Sequence, residues 1–108
     1  MEQGRKIKSW ELELTNSLLL KCGRQDDYKL HPSILVEEVT NEEIGTIRFL
    51  EVGRGNENRV FGQKLSETIV IDKDNVQILV SLIVDNSDNL FELEIWKTNF
   101  EPILKRKL

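Results

Sequence analysis

The sequence has few of the residues on which disulfide, metal and thiol chemistry depend. Its 108 residues include one cysteine, Cys22, and one histidine, His31. A single cysteine forms no internal disulfide, which excludes the disulfide-stapled secreted scaffolds and indicates a reducing compartment. A zinc site would need carboxylates for most of its ligands, and no metal-ligand spacing is present. We therefore expect no metal, no cofactor and a cytoplasmic location.

Long apolar runs are also absent. The longest apolar-rich stretch, Val76 to Val84, spans nine residues and is interrupted by Gln77 and Ser81. A membrane-spanning helix needs about 20 apolar residues, and the first residues contain no apolar segment of the kind found in secretory signals. We expect no membrane association.

Positive charge is scarce in the body of the chain. The total is 15 basic and 19 acidic residues, but the segment 9–104 holds nine basic and eighteen acidic residues, a charge of −9. Residues 1–8 and the tail 105–108 are basic. An acidic body repels nucleic acid and attracts a basic protein partner. The alternative is that the charge only keeps the protein soluble.

The length and composition are those of one globular domain over residues 1–108. A chain with 39% hydrophobic and 31% charged residues can bury one core and is too short for two. The sequence does not indicate the oligomeric state.

An amphipathic helix is predicted over about residues 9–22. Trp10, Leu14 and Leu18 recur at helical spacing, with Leu12 and Leu19 widening the apolar stripe. The boundaries carry the expected signals, which are Ser9 as N-cap, Glu11 and Glu13 in the first turn, Lys21 in the last turn and Gly23 beyond it.

After Pro32 the apolar period changes to two, which predicts a sheet over about residues 34–97. Ile34–Thr40 and Gly45–Val52 flank the turn Asn41–Ile44 and form a first hairpin. Three longer strands follow the loop Gly53–Asn58. They are Val60–Ile71, Val76–Asp85 and Leu90–Lys97, joined by the turns Asp72–Asn75 and Asn86–Asn89. The fold class is α+β, with the N-terminal helix packed on one face of a four- to five-stranded antiparallel meander.

One register of the three long strands makes a single face almost wholly apolar. It pairs Val84 with Phe91, Leu82 with Leu93, Val80 with Ile95, Ile71 with Val76 and Ile69 with Ile78. The face beneath the helix is then Leu65, Ile69, Ile71, Val76, Ile78, Val80, Leu82, Val84, Phe91, Leu93 and Ile95. The opposite face is Ser66, Thr68, Val70, Gln77, Leu79, Ser81, Ile83, Glu92, Glu94 and Trp96.

Glu67 conflicts with this register, because it falls on the apolar face opposite Val80. We expect a β-bulge between Gln63 and Glu67, or an edge position, to resolve the conflict. A buried functional carboxylate is the alternative, although an unpaired buried charge is costly.

The mixed face carries the candidate site, Ser81, Glu92, Glu94 and Trp96. Glu92 and Glu94 are two residues apart on one strand and share its face with Trp96. Such a surface suits contact with a protein. A carboxylate pair could instead perform acid–base hydrolysis, and Trp96 with the carboxylates could bind a sugar or small molecule beside the loop Gly53–Asn58. A solvated strand face is the simplest alternative.

The segment Leu90–Ile103, L-F-E-L-E-I-W-K-T-N-F-E-P-I, resembles the closing motif L-F-E-L-D-I-W-K-x-D-F-x-P of a small family of uncharacterised bacterial proteins. Glu94 and Asn99 stand where that family more often has aspartate. The resemblance extends more weakly to Asn41–Phe49 and Asp72–Asp85. It implies a bacterial protein of unknown function and a structural role for the motif.

These observations favour a non-enzymatic bacterial protein-binding domain. Its sharpest form is an immunity-type inhibitor of a basic toxin, with Ser81, Glu92, Glu94 and Trp96 at the contact surface. A small-molecule or sugar-binding domain and a carboxylate-based hydrolase are the alternatives.

Overall fold

The computed structural model describes residues 4–39, 45–50, 58–105 and 107–108. Its elements, in chain order, are β1 (Arg5–Lys6), α1 (Ser9–Lys21), β2 (Leu35–Glu38), β3 (Ile47–Phe49), β4 (Phe61–Ile71), β5 (Gln77–Asp85) and β6 (Leu90–Lys97). The predicted turn Asn41–Ile44, the loop Gly53–Asn58 up to residue 57, and Arg106 lie outside the described residues.

The predicted helix is confirmed, and its C-terminal signal acts as expected. Gly23 has a φ of 73°, and its N–H donates to the Leu20 carbonyl while the Arg24 N–H donates to the Leu19 carbonyl. This double contact is a Schellman motif, which satisfies carbonyls at the helix end. The predicted cap at Ser9 is wrong. Lys8 is the N-cap, and its backbone N–H donates to the Glu11 carboxylate at 2.8 Å.

The buried face of α1 differs from the predicted stripe. Glu11, Thr15, Leu18 and Leu19 are buried, whereas Trp10, Leu12 and Leu14 only border the core. The buried face of the helix is rotated toward Glu11, because this carboxylate has a partner that the apolar spacing does not reveal. Arg5 on β1 donates two hydrogen bonds to Glu11, at 2.9 and 2.8 Å, and two to Glu38 on β2. A paired carboxylate can be buried where an unpaired one cannot.

The sheet is antiparallel throughout, in the order β1-β2-β3-β6-β5-β4, with α1 packed against β4 and β5. The α+β class and the β4–β5–β6 meander are confirmed. The prediction of four to five strands is wrong, because six strands pair within the described part of the chain. β1 has two residues, which is too short to show a period of two. Thr46 ties the β2–β3 hairpin to β6, since its hydroxyl donates to the Ile95 carbonyl and accepts from the Ile95 N–H.

The predicted register between β5 and β6 is correct in the middle of the strands. Leu82 faces Leu93 and Val80 faces Ile95. Near the turn, a register shift after Ile83 places Val84 opposite Leu90 instead of Phe91. The local irregularity therefore changes the partner of one residue without moving the rest of the pairing.

The predicted register of β4 is wrong by one residue. Ile71 faces Gln77 and Ile69 faces Leu79, because Asp72 bonds to Val76 in the place predicted for Ile71. Register shifts occur further from the turn, between Phe61 and Gln63 and between Lys64 and Ser66. The second shift lies inside the segment where the bulge was predicted. The register set by the Asp72–Val76 pair places Glu67 opposite Ser81 and away from the core. Since a one-residue slip exchanges the two faces of a strand, Ser66, Thr68 and Val70 take the helix side, and Ile69 and Ile71 take the other.

The core lies between α1 and the sheet. Its buried apolar residues are Ile7, Leu18, Leu19, Val36, Ile47, Phe49, Ile78, Val80, Leu82, Leu93 and Ile95. Leu65 packs against this cluster but is only partly buried. Ser66 is buried, and its hydroxyl has no hydrogen-bond partner in the described structure, consistent with its shift beneath the helix.

Gly62 forms the first irregularity of β4. A Cβ atom at this position would lie 2.1 Å from the Asp85 carbonyl oxygen. Only glycine therefore allows β4 to approach the end of β5 so closely. Within the described residues, α1 is the only helix, and it is too short to span a membrane.

Candidate binding surface

The second face is the side of β4, β5 and β6 that points away from α1. Cross-strand pairing arranges it in rows. One row joins Ile69, Leu79 and Trp96, and the next joins Glu67, Ser81 and Glu94. We call these the apolar row and the carboxylate row. The predicted site residues Ser81, Glu92, Glu94 and Trp96 all lie on this face.

The apolar row is open to solvent at both ends. Ile69 is 52% exposed and Trp96 is 46% exposed, while Leu79 between them is half-buried. Ile71, two residues beyond Ile69 on the same face, is 45% exposed. A contiguous group of exposed large apolar side chains is unusual for a surface without a partner. The misplaced β4 register concealed this group, since it assigned both isoleucines to the core.

Phe100 extends the apolar row. Its ring packs edge-on against Trp96, with centroids 5.1 Å apart and planes inclined at 71°. The side chain is nevertheless 77% exposed. Its backbone has a φ of 64°, a left-handed conformation that costs a non-glycine residue about 1–2 kcal/mol. The turn thus holds an aromatic ring at the surface in an unfavourable backbone conformation, and sequence spacing gave no sign of it.

The carboxylate row differs from residue to residue. Glu94 is exposed and makes no ion pair or hydrogen bond with the described residues. Glu67 pairs with Lys64 on its own strand. Ser81, between them, is 4% exposed. Of the row, Glu94 is therefore the group most available to a partner.

Glu92 is paired with an arginine of the neighbouring strand. Its carboxylate accepts hydrogen bonds from Arg48 on β3. The same guanidinium lies 4.8 Å from the ring centroid of Phe91, and that of Arg59 lies 5.1 Å from it. The ion pair and two cation–π contacts link β3, β6 and residue 59. This arrangement gives Glu92 a partner within the chain, unlike Glu94.

Sequence reasoning missed a buried charge cluster at one end of β5. The Lys97 ammonium lies 2.9 Å from Asp72 and 2.7 Å from Asp74, and the side chains of Lys97 and Asp72 are 1% and 0% exposed. Asp72 also accepts the backbone N–H groups of Leu104 and Lys105, at 2.8 and 2.9 Å. The cluster fastens the C-terminal segment to the β4–β5 turn.

A second buried pair closes the other end of β5. The Arg59 guanidinium donates to Asp85 at 2.7 Å and to the carbonyls of Phe49 and Leu90, at 2.7 and 2.6 Å. Asp85 also accepts the N–H groups of Ser87 and Asn89 in the β5–β6 turn. Both turns were predicted from their Asp and Asn residues, but the buried partners of the aspartates come from distant segments.

These clusters predict that the protein loses stability in acid. Burial alone would raise the pKa of Asp72, but the Leu104 N–H, the Lys97 ammonium and the N–H groups of Lys73 and Lys105 outweigh it and hold that pKa well below its ordinary value. A carboxylate with a lowered pKa stabilises the fold above its unfolded pKa of about 3.9, and the contribution disappears as the pH falls through the folded pKa.

Urea denaturation between about pH 7 and about pH 2 measures this loss. The difference in unfolding free energy between wild type and Asp72→Asn should be largest near neutrality and should shrink below about pH 4. A difference that stays constant over the whole range would contradict the assignment.

The described residues contain no group of three or more His, Cys, Asp or Glu side chains that could hold a metal ion. His31 instead hydrogen-bonds to Ser33, with its Nδ1 2.7 Å from the hydroxyl. Cys22 is a free thiol whose Sγ lies 3.5 Å from the Leu19 carbonyl.

The helix packs on one side of the antiparallel sheet, and the exposed apolar row lies on the other side. This arrangement defines a two-layer α+β protein. The chain belongs to the family described as domain of unknown function DUF6984, whose model matches residues 4–107. Comparisons with curated proteins and with solved structures found no match.

Proposed function

We propose that this protein is a non-enzymatic binding domain that engages a basic protein through its second face. The observation that carries the proposal is the exposed apolar row, bordered by carboxylates. Interfaces combine apolar or aromatic anchors at the centre with a polar rim. Trp96 and Phe100 supply the aromatic anchors, and Glu94 supplies beside them a negative charge that no described residue pairs with.

The charge of the body supports a basic partner. Segment 9–104 carries −9, which speeds the approach of a positively charged protein and disfavours an acidic one. Glu94 is exposed and has no cation of its own among the described residues, so an incoming lysine or arginine can pair with it. An immunity-type inhibitor of a basic toxin is the sharpest form of this proposal. The proposal includes a bacterial origin, which rests on the resemblance of the motif Leu90–Ile103.

Affinity capture with matched variants tests the proposal. Wild-type protein immobilised at low and at moderate salt should retain a basic protein from the native host, with less retained as salt rises. Glu94→Lys and Trp96→Ala should each reduce retention at least about tenfold, the range expected for interface anchors.

The control variants reverse a charge and truncate an apolar side chain on the opposite side of the molecule. Glu13→Lys reverses an exposed charge on α1, and Leu20→Ala removes an exposed apolar side chain there. Both should bind as wild type does. The proposal fails if no basic protein is retained at either salt concentration, or if the second-face variants retain it as well as the controls.

A further inference from the structure

Besides the second face, the outer edge of β4 is a surface that no described strand covers. β4 is the last strand in the sheet order, and no described strand pairs with its outer side. Unpaired strand edges recruit other strands, and natural proteins commonly protect them. The stretch Ser66–Ile71 follows the last register shift and pairs regularly with β5, so it offers a straight edge.

The direction of the free backbone groups follows from the alternation of antiparallel pairing. The Asp72 N–H donates to the Val76 carbonyl across the β4–β5 turn. The backbone groups of Val70 and Thr68, two and four residues earlier in β4, therefore also bond to β5. The N–H and C=O groups of Ile69 and Ile71 therefore point outward. Glu67 confirms the alternation, because its carbonyl accepts a hydrogen bond of 2.5 Å from the Lys21 ammonium of α1.

We propose that a second copy of this chain pairs with this edge, β4 against β4, in an antiparallel arrangement about a two-fold axis. In one register, Ile69 of each copy lies opposite Ile71 of the other. The outward groups of these residues then exchange about four backbone hydrogen bonds. Both isoleucines keep their side chains on the second face, where each packs against its counterpart.

Charge complementarity selects this occupant and this register. Two residues before Ile69 is Glu67, and two residues after Ile71 is Lys73, which is exposed in the β4–β5 turn. The register that pairs the isoleucines therefore places Glu67 of each copy, which also pairs with the exposed Lys64 of its own strand, across from Lys73 of the other. The two-fold axis produces this pair twice, on either side of the isoleucines. The Lys21 ammonium already donates a hydrogen bond to the Glu67 carbonyl, where the backbone hydrogen bonds between the two copies would end. It therefore limits the pairing to Thr68–Ile71.

Self-pairing is independent of the binding function proposed above. A two-fold axis perpendicular to the sheet keeps both second faces on the same side. The two apolar rows would lie side by side, and each would remain open to a partner.

Light scattering or sedimentation at increasing concentration, up to about 1 mM, tests the proposal. The wild-type mass should rise from 12.6 kDa toward twice that value. Ile71→Pro removes an outward N–H that bonds to none of the described residues, so it should keep the fold and abolish the rise. Ile71→Ala keeps that N–H and should show a weakened dimer.

A charge exchange separates this register from other associations and does not depend on the proline variant folding. Glu67→Lys and Lys73→Glu should each weaken dimerisation, and the double variant should restore it. A wild-type mass that stays monomeric throughout, or a dimer unaffected by these changes, would overturn the proposal.

Discussion

Lys97→Ala should lower the melting temperature by roughly 10 °C or more. The Lys97 ammonium joins Asp72, Asp74 and the Pro102 carbonyl inside the protein. Burial would lower the pKa of Lys97, but Asp74 and Asp72 more than compensate and raise it, so the charged form belongs to the native structure. Removing the lysine leaves the buried Asp72 carboxylate without its counter-charge, which costs far more than losing a surface ion pair.

Thermal unfolding followed by circular dichroism measures the effect. Lys29→Ala removes the same charge from an exposed position and should change the melting temperature little. Asp72→Asn keeps the size of the side chain but removes its charge, and it should also destabilise the protein because the buried lysine loses a partner. Equal melting temperatures for Lys97→Ala and Lys29→Ala would show that the cluster contributes nothing.

Arg59→Ala should reduce the free energy of unfolding by about 3–5 kcal/mol. The guanidinium is 8% exposed and its partner Asp85 is 2% exposed. One side chain donates to Asp85 Oδ2 and to two backbone carbonyls, at Phe49 and Leu90. Truncation leaves three acceptors without their donor in a site that water reaches poorly.

Urea denaturation of three variants separates charge from geometry. Arg59→Lys keeps the positive charge but loses the planar fork of donors, so it should recover only part of the lost stability. Arg24→Ala is the control, because Arg24 pairs with exposed Asp27 and Asp88 and should matter much less. Full recovery with lysine would show that charge alone accounts for the role of Arg59.

The sequence predicted the helix and the meander because both depend on local signals. Helical spacing and Gly23 mark α1, and turn residues separate β4, β5 and β6 at short range. β1 escaped prediction because two residues show no period. Its Arg5 was therefore also missed as the partner that allows Glu11 to be buried.

The register of β4 could not be read from apolarity alone. Both faces of its second half carry apolar or small residues, with Thr68 and Val70 on one side and Ile69 and Ile71 on the other. The pairing of Asp72 with Val76 decides between the two faces, and it depends on contact with β5 instead of on local composition. The prediction recognised the need for a bulge from Glu67 but left Ile69 and Ile71 on the core side.

The candidate site was partly predictable for the same reason. Alternation along β6 places Glu92, Glu94 and Trp96 on one face from sequence alone. The contact of Arg48 with Glu92, the burial of Ser81 and the position of Phe100 depend on neighbours brought together by folding. The Asp72–Lys97 pair was missed because a lysine at a strand end is usually solvated.

The bonds of Asp72 join parts of the chain that are synthesised at different times. The Lys73 N–H is made together with Asp72, and Lys97 follows with β6, but the N–H groups of Leu104 and Lys105 leave the ribosome later still. A β4–β5–β6 meander without these two residues would hold a carboxylate whose donors are incomplete. The segment of Leu104 and Lys105 therefore completes the environment of a charge that the chain acquired about thirty residues earlier.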